Sequence, residues 1–377
     1  MRWLLPAPLL LVLLLAGCGT SFLNLGGEFE DLPGDSVAID LYLIGDAGLP
    51  APGGEPVLEA LGEMISRNSD RSLAVFLGDN IYPHGLPDTT APDREEAERI
   101  LNAQIDAVKD AGGRAVFVPG NHDWDAGSPR GWRAIVRQQR YIDERGEGLV
   151  RMLPSYGCPG PEVEDLGRAL RLVFLDTQWW LHRGPKPVGE DSACRGASTE
   201  GGVVDSLRAA IAGADGRAVV VFGHHPLASG GPHGGYFDWP TYIFAPYPWA
   251  RRLGFSDQDF GNPEYKELIA ALTRAFRPQR PLIYAAGHEH NLQVFRRDPA
   301  HYLLVSGGGI YGHTEKVRAI TGTRYANRAS GFMRMSVLRS GQIRLAVIVV
   351  GVDGEAREDF AVWLTRRSGQ TPSVVAP

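Results

Sequence analysis

Five short blocks recur along this 377-residue chain, and each closes a run that reads as a buried strand. They are Gly45-Asp46-Ala47-Gly48, Gly78-Asp79-Asn80-Ile81-Tyr82, Gly120-Asn121-His122-Asp123, Gly223-His224-His225-Pro226 and Gly287-His288-Glu289-His290. The runs ahead of them, Val37–Ile44, Leu73–Leu77, Arg114–Val118, Ala218–Phe222 and Leu282–Ala286, are apolar and mostly rich in β-branched residues, which predicts strands. In α/β sheets the loops at the carboxyl ends of strands converge on one crevice, so blocks far apart in sequence can share a site. A glycine before each ligand-type residue lets the backbone leave the strand sharply and approach an ion or phosphate.

The side chains on offer are Asp46, Asp79, Tyr82, Asn121, His224, His288 and His290: oxygen and imidazole, with no thiolate. Such donors suit iron, manganese or zinc and disfavour copper(I) or an iron–sulfur cluster. The set exceeds what one ion needs. It matches two ions about 3.5–4 Å apart, bridged by a carboxylate, the clamp used for displacement at phosphorus.

The ordered blocks resemble those of the calcineurin-like metallophosphoesterases, and within them the purple acid phosphatases. Most of that superfamily looks like Asp-x-His at the first block. Here Asp46-Ala47-Gly48 lacks the histidine, and Tyr82 stands three residues after Asp79. This paired departure resembles the purple acid phosphatase signature, and Gly287-His288-Glu289-His290-Asn291-Leu292-Gln293 resembles its small, tartrate-resistant branch. The resemblance implies a first ion held by Asp46, Tyr82 and His290, a second held by Asn121, His224 and His288, and Asp79 bridging them. The anionic first site favours Fe(III), and the second a divalent ion such as Fe, Zn or Mn. The implied reaction is hydrolysis of a small phosphate ester, a monoester by preference, by in-line attack of metal-bound hydroxide in mildly acidic solution. His122, next to Asn121, is the expected general acid. His233, nine residues after His224, resembles the family's second substrate-contacting histidine.

Other polar residues in or near the blocks have plainer readings. His84, His182, His301 and His313 read as ordinary structural histidines, and His225 as packing or support for the neighbouring ligand. Asp123 and Asp176 read as caps of loops or helices. The stretch His233–Phe260 crowds Tyr236, Phe237, Trp239, Tyr242, Phe244, Tyr247, Trp249 and Phe255 with Pro240, Pro246 and Pro248. It reads either as a lip over the cleft or as rings packed on the body. Arg251-Arg252 within it would meet phosphate or face water.

At the amino terminus Arg2 precedes an apolar stretch, Trp3 to Ala16, shorter than the roughly 18 residues of a spanning helix. Residues 1–17 read as a signal peptide. Leu15-Ala16-Gly17-Cys18 resembles the lipobox of bacterial lipoproteins, with Cys18 lipidated, 18–36 a tether, and Gly19 resembling sorting to the outer membrane. The expected location is therefore the bacterial cell envelope, with the membrane as partner through Cys18. Cys158 and Cys194 then form a plausible disulfide in an oxidising compartment, with two free thiols as the alternative.

Helical patterns at Glu55–Ile65, Arg94–Ala111, Gly131–Glu144, Val204–Ala212 and Pro263–Ala275 follow strands, whereas late strands Tyr302–Ser306, Phe332–Leu338 and Ile343–Val350 follow without such helices, so a second sheet formed by them should pack on the first. One catalytic domain over 37–367 is expected, an α/β fold with a two-sheet β-sandwich flanked by helices, as in the family, followed by a flexible tail over 368–377. A net charge of −6 with no Lys/Arg block argues against nucleic acid gripped by its backbone. Other function classes share these features: a phosphodiesterase or nucleotidase with the same metal core, a non-catalytic envelope lipoprotein, and an iron-binding or redox protein.

Overall fold

A computed structural model describes residues 22–29, 32, 36–189, 194, 197–237, 251 and 256–365. The predicted signal peptide, Cys18, Arg252, the tail over 368–377 and the rings Trp239, Tyr242, Phe244, Tyr247, Trp249 and Phe255 lie outside these residues, as do Pro240, Pro246 and Pro248.

In chain order the described elements are β1 (Leu23–Asn24), β2 (Val37–Ile44), α1 (Pro56–Ser66), β3 (Ser72–Phe76), α2 (Arg94–Lys109), β4 (Arg114–Phe117), α3 (Gly131–Gly146), β5 (Val150–Met152), β6 (Glu162–Leu166), β7 (Leu170–Phe174), α4 (Gln178–Leu181), α5 (Glu200–Ala212), β8 (Ala218–Phe222), α6 (Pro263–Phe276), β9 (Ile283–Ala286), β10 (Leu292–Phe295), β11 (Tyr302–Ser306), β12 (Thr323–Asn327), β13 (Gly331–Leu338), β14 (Ile343–Val350) and β15 (Ala356–Thr365). A seven-stranded sheet runs β15-β14-β13-β2-β3-β4-β5, and an eight-stranded sheet runs β1-β12-β10-β11-β9-β8-β7-β6.

Alternation within the strands explains the layers. Leu41 and Leu43 of β2 face the interior between the sheets, with Leu73, Val75 and Val116 beside them and Leu172, Phe174, Val220, Phe222 and Ile283 opposite. Tyr42, Ile44, Ala74 and Phe76 face outward and are covered by Leu58, Leu61 and Ile65 of α1 and Ile100, Leu101 and Ile105 of α2. Both faces of the central strands are therefore buried, which is why their sequences read as continuous apolar runs. Two of the helices begin at a capping side chain followed by proline. Pro56 follows Glu55, which accepts the Val57 N–H, and Pro263 follows Asn262, which accepts those of Glu264 and Tyr265.

The expected two-sheet sandwich flanked by helices is the observed architecture. The division of strands differs from the expectation that late strands form the second sheet. β13 and β14 instead pair beside β2 in the first sheet, while β11 inserts next to β9 in the other. The five metal-type blocks thus come from both sheets, three from one and two from the other. α5 begins at Glu200 rather than Val204, because Thr199 caps the Gly202 N–H and Gly201-Gly202 hides the first turn. The expected tether over 18–36 is docked in part. Leu23 and Asn24 pair with Ala326 and Tyr325, and the Glu28 carbonyl accepts the Arg344 guanidinium at 2.8 Å.

Cys158 and Cys194 are joined in a disulfide across 36 residues of sequence. Closing a loop of that size is worth about 2–4 kcal/mol in chain-entropy terms. Reduction should therefore lower the midpoint of denaturant unfolding, and Cys158→Ser with Cys194→Ser should abolish the difference between reduced and unreduced samples. An intact-mass gain on reduction and alkylation checks the bond itself.

Candidate metal centre

Strand ends β2, β3 and β4 deliver Asp46, Asp79 and Asn121, while β8 and β9 deliver His224, His288 and His290. The backbone is unusual where it turns into the site. Asp46, Asp79 and His288 have φ of 59°, 55° and 71°, the left-handed region that costs a side-chain-bearing residue and clusters at functional sites. Of the glycines ahead of the donors only Gly78 shares it, at 92°. Gly120 serves close approach instead: a Cβ there would stand 2.2 Å from the Asp79 backbone nitrogen.

Two groups of donor atoms converge. In one, Tyr82 Oη lies 3.1 Å from Asp46 Oδ1, 3.1 Å from Asp79 Oδ2 and 3.1 Å from His290 Nε2. In the other, Asn121 Oδ1 lies 2.9 Å from His224 Nε2 and 3.1 Å from His288 Nδ1, and those two nitrogens are 3.1 Å apart. Asp79 Oδ2 joins the groups, standing 3.4 Å from His224 Nε2. Asp46, Asp79, Asn121, His224 and His288 are buried, and Tyr82 and His290 are half-buried at the opening.

The far nitrogens of the imidazoles settle which lone pairs face inward. His224 Nδ1 donates to the Leu77 carbonyl at 2.8 Å, and His288 Nε2 donates to that of Gln258 at 2.9 Å, leaving Nε2 and Nδ1 respectively for the site. Burial and the Asp46 and Asp79 carboxylates push the Tyr82 hydroxyl well above its ordinary value. Burial likewise raises Asp46 well above the carboxylate range. Burial opposes ionisation of Asp79 too, but His224 and His122 outweigh it and hold the group low. His224, disfavoured as a cation by burial, is nonetheless raised to about 9 by Asp79. Two carboxyls and a phenol in mutual contact form a set that a multivalent cation satisfies, so the donor chemistry fits metal ions of the oxygen- and imidazole-binding kind.

His122 flanks this cluster. Its backbone N–H binds Asp79 Oδ1 at 2.9 Å, its Nδ1 donates to the Pro83 carbonyl at 2.7 Å, and its ring packs 4.4 Å from that of Tyr82. His233 lies on the second flank, its ring 4.0 Å from that of His288 and its Nδ1 2.7 Å from Asp259 Oδ1. His225 is buried with both ring nitrogens engaged, by Thr177 Oγ1 and Gln258 Oε1. Asp123 clamps two of the blocks together, accepting from the N–H groups of Asn80 and Gly120. Asp176 accepts from Trp124 Nε1 and the Trp179 N–H.

Several supporting residues carry no local sequence signal. Gln258 contacts His225, His288 and His233, and Asp259 orients His233, from a segment far along the chain from either block. Arg251 does not face water; it is buried and pairs with Asp259. Glu289 did have a signal, a carboxylate between two ligand-type histidines. It is fully buried, accepts from Ser229 Oγ and the Gly234 N–H, and so holds the loop that carries His233. Of the aromatic stretch, Tyr236 and Phe237 sit under the guanidinium groups of Arg318 and Arg251.

A match to the calcineurin-like phosphoesterases extends over residues 39–292, and the chain belongs to that family. Among curated proteins no sequence matches it. Among solved structures it is similar to the purple acid phosphatase PPD1 of yellow lupin (Lupinus luteus) seeds, at 14% identity and a TM-score of 0.53, over 88% of this chain and 55% of that one. It is also similar to GAP50, the anchor in the inner membrane complex of Plasmodium, at 15% identity and a TM-score of 0.51, over 85% of this chain and 88% of that one. At such identities the likeness concerns the fold. Among the described residues no helix is long and apolar enough to cross a membrane.

One titration is open to direct test. Burial raises the Asp176 carboxyl to about 7, against an ordinary value near 4. The folded state then holds more protons than the unfolded chain between those limits, so stability should fall as pH rises from about 4 to about 7. Asp176→Asn should flatten the slope of Tm against pH across that window, as read by calorimetry at several pH values.

Proposed function

We propose that this phosphoesterase hydrolyses small phosphate monoesters in the manner of an acid phosphatase, on two metal ions. The observation that carries the reading is the convergence of Tyr82 Oη with Asp46, Asp79 and His290 within 3.1 Å, where most of the superfamily is expected to carry a histidine after the first aspartate. In this reading Asp46, Tyr82 and His290 hold a first ion, Asn121, His224 and His288 a second, and Asp79 both. The first site, with three anionic groups, suits Fe(III), and the second suits a divalent Fe, Zn or Mn ion. When bound, such a pair supplies Lewis acidity toward the phosphoryl oxygens and an activated solvent nucleophile.

The chain's own residues do the rest. His122 is fixed through Nδ1 by the Pro83 carbonyl, so its Nε2 is the nitrogen available to protonate the leaving oxygen. Asp259 holds His233 by Nδ1 in the same way, which supports a role in gripping substrate. Leu15-Ala16-Gly17-Cys18 supports export and lipid attachment at Cys18, placing the enzyme in a bacterial envelope and, with Gly19 next, at the outer membrane.

The decisive experiment compares kcat/KM for an aryl phosphate monoester and the matching diester from acid to neutral pH. Monoester preference with an acidic optimum is expected, and diester preference would move the assignment to a phosphodiesterase. His122→Ala should lower kcat about 10²–10⁴-fold with both metals retained, and unchanged turnover would remove it as the acid. In ferric protein Tyr82→Phe should abolish the visible tyrosinate charge-transfer band; a band that persists would place the phenolate elsewhere.

A further inference from the structure

The loop after β11 brings a third histidine to the opening. His313 is exposed, and its ring centroid lies 4.4 Å from that of His290 and 6.1 Å from that of Tyr82. The backbone around it is tied down on both sides. Glu55 Oε1 accepts the Tyr311 N–H at 2.8 Å, Ser330 Oγ accepts that of Gly312 at 2.9 Å, and the His290 carbonyl accepts that of Glu315 at 2.7 Å. Gly312 has a φ of 76° and nothing within 4 Å of an added Cβ, so its glycine serves the turn that presents His313, not close packing.

A histidine kept for structure looks different in this molecule. His225 is buried and spends both ring nitrogens on Thr177 and Gln258. No ring nitrogen of His313 has such a partner among the described residues, although its loop is held by Glu55 and Ser330. An imidazole N–H at the mouth of a phosphate site gives a charge-assisted hydrogen bond to an anionic oxygen without needing to ionise.

We propose that His313 is a substrate-binding residue that donates a hydrogen bond to a phosphoryl oxygen from the His290 side of the cleft, so that histidines 122, 233 and 313 contact the phosphate group from three sides. This rests on the phosphoesterase reading above. It also accounts for why the 307–318 loop is pinned to the block carrying His288 and His290.

The test is calorimetric titration of the metal-loaded full chain with orthophosphate at one pH, with metal content measured on each sample. His313→Ala and His313→Phe should each weaken orthophosphate about tenfold or more, the worth of one hydrogen bond to a charged group, while His313→Gln stays within about threefold. Metal content should be unchanged throughout. A Phe variant that binds as tightly as the wild type would show that the ring only packs on His290 and would overturn the proposal. Loss of phosphate in step with loss of metal would overturn it as well. Wild-type protein that holds its metals yet binds no orthophosphate would overturn the phosphoesterase reading along with this one.

Discussion

Asp46 clasps the two sheets at the point where the chemistry is placed. It closes β2 of the seven-stranded sheet, and its carboxylate accepts the backbone N–H of His288, beyond β9 of the eight-stranded sheet, at 2.8 and 3.1 Å. The same seam is held by Gly45 N–H to the Ser306 carbonyl and by His224 Nδ1 to the Leu77 carbonyl. These contacts fix the separation of the two carboxyl edges, and the donor distances that cross between the sheets, such as Asp79 to His224 and Tyr82 to His290, depend on it. A small shift of one sheet against the other would part Asp79 from His224 and Asp46 from His290 together. Packing in the layer between the sheets therefore has a functional consequence at the centre. Leu43, Val75 and Phe222 are wholly buried there, on the strands that run into Asp46, Asp79 and His224.

The centre is expensive to fold around. Burial disfavours the anionic forms of Asp46, Asp79 and Tyr82, and their mutual contact adds repulsion. The protein compensates in part with His224 and with backbone N–H groups, and it keeps His288 and His290 neutral. Burial and neighbouring histidines hold His288 well below its ordinary value, and His290 is lowered to about 3 by burial and then by His313. Neutral imidazoles are what metal coordination requires. Around them a second ring of groups fixes tautomers and loops: Leu77, Gln258, Asp259 and Glu289 each touch a histidine or the loop that carries one.

How far the sequence disclosed this depends on whether a signal was local. The five blocks were legible because a glycine, a donor and a preceding apolar run lie within about ten residues of one another, and the two-sheet sandwich followed from helices alternating with early strands and absent from late ones. The partition of strands was not legible, since β13 chooses β2 by long-range packing that no spacing records. The pair Gly201-Gly202 concealed the first turn of α5, which Thr199 caps. Among the site residues, Asp259 and Gln258 act from a loop without a pattern of its own, and His313 reads from the sequence as an ordinary structural histidine, whereas the fold sets it against His290. Residues whose role lies in reaching across the molecule leave no trace in the nearby chain.

Similarity of fold leaves function open, because one of the two similar structures is a phosphatase and the other an anchor in a membrane complex. Chemistry must be read from the site itself. A protein that used this sandwich only as a scaffold would be more stable with apolar residues in place of Asp46, Asp79 and Tyr82, since buried charged groups rarely outperform well-packed hydrophobic ones. Left-handed backbone at Asp46, Asp79 and His288 adds a further cost at the same places. Left-handed backbone and unfavourable burial thus coincide on Asp46 and Asp79, whose donor atoms converge, while the sheet interior formed by Leu41, Leu43, Val75, Phe174 and Phe222 is apolar. That distribution supports a centre maintained for what it binds, and it is the physical ground for reading this chain as an enzyme and not as a scaffold.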